Sequence, residues 1–390
     1  MFLPRRTFLT GTGLLALDYL LTACDSGASH HFQVRLLKDS IPSNLFQEFR
    51  KQLPQSVKLD VSSEKQLSSL YEQLESWHRP PRCQKNNTGF SPFWTNSSIS
   101  PTVPDLITIG DYWLSLAIQH QVIRPLNFTD FPAWSQLPQF WRSLVHRDSQ
   151  GRPSPTGSVW GAPYRWGATV LIYRQDVFER LGWVPSDWGD LWRPELKGRI
   201  SLLNQPREII GLTLKRLGHS YNTPVIESIP NLKAYLTALH HQARFYSNDT
   251  YLQPLLLEDT WLAVGWSSDV IPLLAQGRLA AVIPASGSAL WADLWVKPVR
   301  ASQPTDFPDL TQRWINYCWQ LPQAVQLSLL TSAASPMLAT FPPSRLPPSL
   351  RQNSIFNPTP QLFNRCEWLS PMTENSQQQY ARLWQSVRSQ

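Results

Sequence analysis

Apolar and polar positions follow two periods along the chain, and the alternation of these periods predicts an α/β fold. A period near two, or a short continuous apolar run, predicts strands at residues 32–37, 57–61, 105–109, 160–173, 200–203, 261–265, 279–283 and 290–296. Apolar positions three or four apart predict helices at residues 43–53, 64–77, 112–122, 176–181, 206–217, 231–245, 268–275, 310–319, 324–330 and 377–387. Strands and helices therefore succeed one another, as in folds built on a largely parallel sheet.

One predicted helix has clear boundaries, and one long segment has no pattern at all. In the helix at residues 206–217, Pro206 suits the first position, Glu208 lies near the positive end of the helix dipole, and Gly218 provides the stop.

Residues 78–104 are rich in Pro, Asn, Ser and Thr. This composition predicts an irregular surface insertion.

The first 24 residues have the order of features of an exported lipoprotein. Arg5 and Arg6 precede a mostly apolar run, which ends in the sequence LTAC at Cys24. The paired arginines resemble a twin-arginine export signal and LTAC resembles a lipobox, so we expect cleavage before Cys24 and lipid attachment to it. An uncleaved anchor is the alternative, but Asp18 interrupts the run, which is shorter than the ~20 residues of a spanning helix.

Charge and cysteine content narrow the classes of function. The net charge is +7, and loss of the signal, with two arginines and one aspartate, leaves +6 scattered along the chain. We therefore predict no nucleic-acid partner. Cys83, Cys318 and Cys366 remain after lipidation and form no C-x-x-C motif, which argues against a metal site. One disulfide among them stays an open alternative.

The sequence contains none of the common catalytic motifs. It lacks H-E-x-x-H, G-x-S-x-G and the P-loop pattern. The adjacent histidines His240 and His241 fall in a predicted helix, where neighbouring side chains point in different directions and cannot share a metal. We therefore predict no enzyme activity, no cofactor and no metal.

Several linked motifs resemble the polyamine-binding (spermidine/putrescine) family of periplasmic binding proteins. The motifs are WGAPYRWGATVLIY at residues 160–173, DWGDLWRPELKGRI at 187–200, QPREIIG at 205–211, LGHSYNT at 217–223, AVGWSS at 263–268 and IPASGSALWADLW at 283–295. The resemblance covers about residues 32–337. The run of motifs in one order is far more specific than any single motif.

The resemblance implies a two-lobed type II periplasmic binding protein, a Venus-flytrap fold in which two crossover strands join the lobes. One lobe would take residues 32–169 and 292–337, and the other residues 170–291 and 338–390. The lobes would close on a ligand about points near Thr169 and Trp291. The implied function is the solute-binding component of an ABC importer, a monomer held by its lipid at the periplasmic side of the inner membrane beside its permease.

The resemblance also implies a set of ligand contacts. By their place in the motifs these are the acids Glu208 and Asp293, the aromatic residues Tyr112, Trp266 and Trp291, and the polar residues Gln205 and Ser247. A polyamine-like cation such as spermidine or putrescine needs carboxylates for its ammonium groups and aromatic faces for its alkyl chain. A carboxylate among tryptophans is costly unless it is paired, which favours ligand contact for Trp291 and Asp293 over a purely structural role.

Two alternatives stay open at this point. The same fold could bind another solute, such as an amino-acid-like, sulfonate or metal-chelate ligand, and Arg165 and Lys38 could then hold an anion. An exported cofactor-dependent enzyme is the third possibility, since twin-arginine export often carries folded cofactor proteins.

Overall fold

A computed structural model describes residues 30–78, 103–128, 131–299 and 310–389. The predicted signal residues Arg5, Arg6 and Cys24 lie outside these ranges, as do Cys83 and nearly all of the predicted insertion at 78–104. Within the described part of the chain, no helix combines the length and apolar character needed to cross a membrane.

The described residues form strands and helices that largely follow the predicted order. The strands are β1 (His30–Leu37), β2 (Val57–Glu64), β3 (Leu106–Gly110), β4 (Ile123–Arg124), β5 (His146–Arg147), β6 (Ser158–Val159), β7 (Ala162–Arg174), β8 (Ile200–Leu202), β9 (Ala243–Tyr246), β10 (Leu262–Trp266), β11 (Leu279–Val282), β12 (Ala289–Pro298) and β13 (Glu367–Trp368). The helices are α1 (Ser43–Lys51), α2 (Leu67–His78), α3 (Leu114–Gln119), α4 (Pro132–Gln136), α5 (Gln139–Val145), α6 (Gln175–Leu181), α7 (Pro206–Arg216), α8 (Leu232–Gln242), α9 (Gln253–Leu256), α10 (Ser267–Leu274), α11 (Leu310–Cys318), α12 (Leu321–Thr331), α13 (Pro348–Arg351), α14 (Pro360–Phe363) and α15 (Glu374–Arg388).

The sheet has two halves, which meet at the neighbouring strands β12 and β7. The main strand order is β2-β1-β3-β12-β7-β10-β8-β9. On one side, β1 runs parallel to β2 and β3, and β3 lies antiparallel to β12. On the other side, β8, β9 and β10 are parallel to each other, while β10 and β11 lie antiparallel to β7. We call these two halves the first and second lobes.

The strand β7 changes partner in its middle, which makes it one of the two crossover strands. Its first half pairs with β12, from Ala162 opposite Trp295 to Ala168 opposite Leu290. From Thr169 onward it pairs with β10, beginning opposite Trp266. The predicted two-lobed α/β fold with two crossover strands is confirmed, and its hinge lies where β7 and β12 pass between the lobes.

The buried hydrophobic side chains form two cores. The larger one fills the first lobe around Trp295 and Trp314 and continues across the hinge to Val270 of α10. The smaller one packs α7 and α8 against the sheet of the second lobe. The C-terminal tail divides between them, because Cys366 lies in the first group and Tyr380 in the second. We expected the whole tail at 338–390 on the second lobe, and its packing differs from that expectation.

The predicted helix at 231–245 is shorter than its apolar pattern indicates. It ends at Gln242, and Ala243–Tyr246 forms the edge strand β9, parallel to β8. Phe245 and Tyr246 are aromatic residues that suit a half-buried strand, so an available sheet edge outweighs a continuing helical period.

Candidate ligand-binding cleft

A glycine on the hinge strand lets a tryptophan ring lie directly against it. Trp291 of β12 is opposite Gly167 of β7. A Cβ at residue 167 would lie 2.4 Å from the Trp291 ring and 2.3 Å from the Ser267 hydroxyl, so only glycine fits without displacement. The Ser267 hydroxyl accepts a hydrogen bond of 3.1 Å from the Ala168 N–H. The Trp291 indole is thereby held at the junction of the lobes.

Glu208 lies buried beside the hinge on the second lobe. It is in the first turn of α7, is only 7% exposed, and accepts a hydrogen bond of 3.0 Å from the Thr169 hydroxyl. The Trp266 side chain lies near the carboxylate and favours its charged form. Glu208 makes no ion pair with any of the described residues, and its carboxylate lies at the positive end of the α7 dipole.

The environment of Glu208 disfavours its charge. Burial raises its pKa to about 7, and the Thr169 hydrogen bond, the charge of Arg207 and the Trp266 side chain oppose this rise. A cation brought close to the carboxylate would stabilise the ionised form. The arrangement therefore suits a site that accepts a positively charged group.

Asp293, the second predicted acid, already has a cationic partner. It is 1% exposed, and its Oδ2 lies 2.5 Å from Nε of Arg165, which stands opposite it on β7. The guanidinium carbon lies 5.7 Å from the centre of the Trp291 ring. Burial works against the charge of Arg165, but Asp293 and Tyr164 together outweigh that effect and keep the pKa of the guanidinium above its ordinary value. Arg165 and Asp293 are thus a buried ion pair.

A further acid and a further arginine lie close to this pair on the first lobe. Asp111 follows β3 directly and accepts a hydrogen bond of 2.9 Å from the Ala292 N–H. Burial raises its pKa to about 7, and the nearby Asp293 adds to this effect. Arg147 is 8% exposed, feels the charge of Asp111, and has an Nε without a hydrogen-bond partner in the described structure.

The charged groups are spaced along the hinge. Ala292, which bonds to Asp111, is opposite Trp166 on β7, and Thr169, which bonds to Glu208, lies three residues further along the strand. At ~3.3 Å per residue, these two anchoring points are about 10 Å apart. Asp293 and Arg165 lie beside the first of them.

The other predicted contacts fall into two places. Trp266 is the last residue of β10, at the hinge, and its backbone N–H donates a hydrogen bond of 3.2 Å to the Tyr251 hydroxyl. Gln205 precedes α7 and makes no side-chain cap to it. The Ser247 hydroxyl closes a turn, accepting hydrogen bonds from the N–H groups of Asp249 and Thr250. Tyr112 is separate from these on the first lobe, 39% exposed, in a helical turn at Asp111–Trp113.

Sequence reasoning did not single out Asp111 or Arg147. Asp111 carried one usable signal, because it follows a buried strand and ligands in open α/β sheets bind at the carboxyl ends of strands. Arg147 carried no such signal in the sequence, because it lies in β5, a strand of two residues that is too short to show a period. Sequence reasoning also placed Asp293 in a cation-binding site and Arg165 in an alternative anion-binding site, whereas the structure pairs the two residues with each other.

The fold, with its charged and aromatic junction between the lobes, is that of a solute-binding protein. The chain matches the family described as bacterial extracellular solute-binding protein over residues 102–356. It belongs to that family.

Relatives of known name agree with this assignment. The putrescine/cadaverine-binding protein of Pseudomonas aeruginosa is 24% identical over 243 residues, which cover 60% of this chain and 67% of that protein. The spermidine/putrescine-binding periplasmic protein 1 of Haemophilus influenzae is 20% identical over 350 residues, 90% of this chain and 86% of that one. The structure of a spermidine/putrescine ABC transporter substrate-binding protein from Streptococcus pneumoniae covers 93% of this chain and 99% of its own, with a TM-score of 0.76 and 18% identity. At that identity it supports the fold.

Proposed function

We propose that this protein captures a cationic amine for an ABC importer, with Glu208 as the residue that receives an ammonium group. The observation that carries the proposal is a buried carboxylate at the hinge that has hydrogen-bond donors but no ion-pair partner among the described residues. An ammonium ion would supply the missing counter-charge, and the Trp266 indole beside it would cover the attached alkyl chain. The polyamines named for the relatives are the first ligands to test.

Binding is coupled to closure of the lobes about β7 and β12. Thr169, which bonds to Glu208, belongs to the segment where β7 changes partner, so a ligand at Glu208 touches both the second lobe and the hinge. Such a ligand stabilises the closed arrangement because it binds that arrangement better than the open one. The closed form is the one we expect the permease to recognise, and no catalytic step is needed.

The location follows from the N-terminal segment together with the family. We propose that the chain is exported through its paired arginines and tethered as a monomer by lipid on Cys24, on the periplasmic side of the inner membrane. A tether raises the effective concentration of the protein beside its permease. Mass spectrometry of the protein from membranes tests this, because an unmodified Cys24 in a chain that starts at Met1 would contradict it.

Calorimetry with putrescine, spermidine and spermine tests the ligand class. We expect binding by the purified protein and its loss, by at least about tenfold in affinity, in Glu208→Gln, which removes the charge and keeps the shape. Asp176→Asn is a matched control, since Asp176 is an exposed acid of the second lobe in an ion pair with Arg174. Small-angle scattering should show compaction with ligand. Absence of any amine binding would refute the proposal.

A further inference from the structure

The hinge contains a cation that belongs to the protein itself. The Arg165 guanidinium contacts Asp293 through an Nε–Oδ2 distance of 2.5 Å and lies over the Trp291 ring at 5.7 Å. Both charged side chains are almost completely buried. A carboxylate next to an indole face is a suitable receptor for an organic cation. Here the Arg165 side chain already contacts both the carboxylate and the indole.

A ligand ammonium could take this position only by displacing Arg165. Separating a buried arginine from its carboxylate leaves an uncompensated charge in the interior, which is strongly unfavourable. Asp111, the other acid described at this end of the hinge, is itself buried beside Asp293 and within reach of the charge of Arg147. The pair is therefore expected to persist when a ligand binds.

Glu208 and Asp293 thus differ in availability. Among the described residues, Glu208 accepts a hydrogen bond from Thr169, has the Trp266 side chain nearby, and makes no ion pair. Asp293 is neutralised within the chain. Arg147 adds a second buried guanidinium on the first lobe, within reach of the charge of Asp111.

We propose that Arg165 is a specificity-determining residue that fills one cation position, so that the cleft recognises a single ammonium group, at Glu208. The ligand class is an amine of which only one charged nitrogen is paired, and further ammonium groups on the same molecule add little affinity. This inference rests on the proposed amine-capture function.

A pair of amines with the same carbon chain provides the test. Putrescine has an ammonium at each end, and n-butylamine has one. Calorimetry on the purified protein should give affinities for the two that agree within about threefold, since Arg165 already pairs with Asp293. In Arg165→Gln, Asp293 loses its internal partner, and putrescine should bind at least about tenfold tighter while n-butylamine is unchanged.

Three further variants control the interpretation. Arg165→Lys keeps a cation at the position and should keep the wild-type ratio of affinities. Arg165→Gln combined with Asp293→Asn removes both charges and should show no gain for putrescine. Arg174→Gln removes an arginine from ion pairs with Asp176 and Glu258 on the second lobe and should change nothing. If Arg165→Gln is too unstable for calorimetry, putrescine and not n-butylamine should raise its unfolding temperature.

The possible failures are distinguishable. If wild type binds putrescine at least about tenfold tighter than n-butylamine, and Arg165→Gln leaves that ratio unchanged, the role of Arg165 is overturned while amine capture stands. If neither amine binds to wild type or to any variant, both the role of Arg165 and the proposed function fail.

Discussion

Two buried carboxylates at the hinge have opposite electrostatic situations. Asp293, on the crossover strand β12, is paired with Arg165 at 2.5 Å, and the two side chains form one neutral unit. Glu208, on α7 of the second lobe, is buried to a similar extent but has only a hydroxyl and an indole as partners. The Asp293 carboxylate has its counter-ion within the chain, while the Glu208 carboxylate would gain one only from a bound cation. Burial of an acid therefore does not by itself identify a ligand contact, because the partner decides its role.

Removal of the charge at Asp293 should produce the largest loss of stability. Asp293→Asn leaves Arg165 buried without a counter-ion, and we expect the free energy of unfolding to fall by about 3–5 kcal/mol. Denaturant titration of the variant and wild type measures this. Asp176→Asn, in an exposed ion pair, should cost less than about 1 kcal/mol. Equal losses in the two variants would show that the Arg165–Asp293 pair is not a buried unit.

Glu208 should make stability depend on pH in the opposite sense to an ion-paired acid. Its pKa in the fold is about 7 against an ordinary value of 4.5, so its stabilising effect is full below pH 4.5 and is lost as the pH rises through 7. Glu208→Gln should therefore unfold at the same temperature as wild type near pH 4.5. At pH 8 the variant should be more stable by about 3 kcal/mol. Thermal unfolding at both pH values checks this, and a variant less stable than wild type at pH 8 would contradict it.

Disturbing the Trp291 position should have an intermediate effect that reaches both carboxylates. Gly167→Ala forces apart Trp291 and Ser267, and we expect a loss of about 1–3 kcal/mol in stability. Amine affinity should fall as well, because the hinge strand that carries Thr169 is displaced. Gly161→Ala is a matched control, since a Cβ there would meet Leu294 and Trp295 only at 3.4 Å. Calorimetry and thermal unfolding of the two variants should separate them.

Ser247 should show the smallest effect and the clearest separation of stability from binding. Its hydroxyl accepts hydrogen bonds from the Asp249 N–H, the Thr250 N–H and the Thr250 hydroxyl. Ser247→Ala should therefore lower stability by about 1 kcal/mol and change amine affinity by less than about twofold. A tenfold loss of affinity with unchanged stability would return Ser247 to the ligand contacts that its position in the motifs implies.

The sequence was informative about elements and much less so about partners. The period of two at residues 32–37 and the cap signals around α7 predicted β1 and α7 within a few residues. The apolar pattern failed at residues 243–245, because pairing of β9 with β8 depends on a strand distant along the chain. Glu208, Trp266, Trp291 and Asp293 were all named from their motifs, and they lie at or beside the hinge.

Local patterns in the sequence determined the α/β class and the order of its elements, and the resemblance of its motifs to a family indicated the acids that could serve a cation. They could do so because periodicity, helix capping and motif order depend on residues near one another in the chain. Only the tertiary structure decided which acid is available. Arg165 and Asp293 are 128 residues apart and meet because β7 and β12 cross between the lobes side by side. Electrostatic pairing depends on distance in space, and that distance is set by the fold.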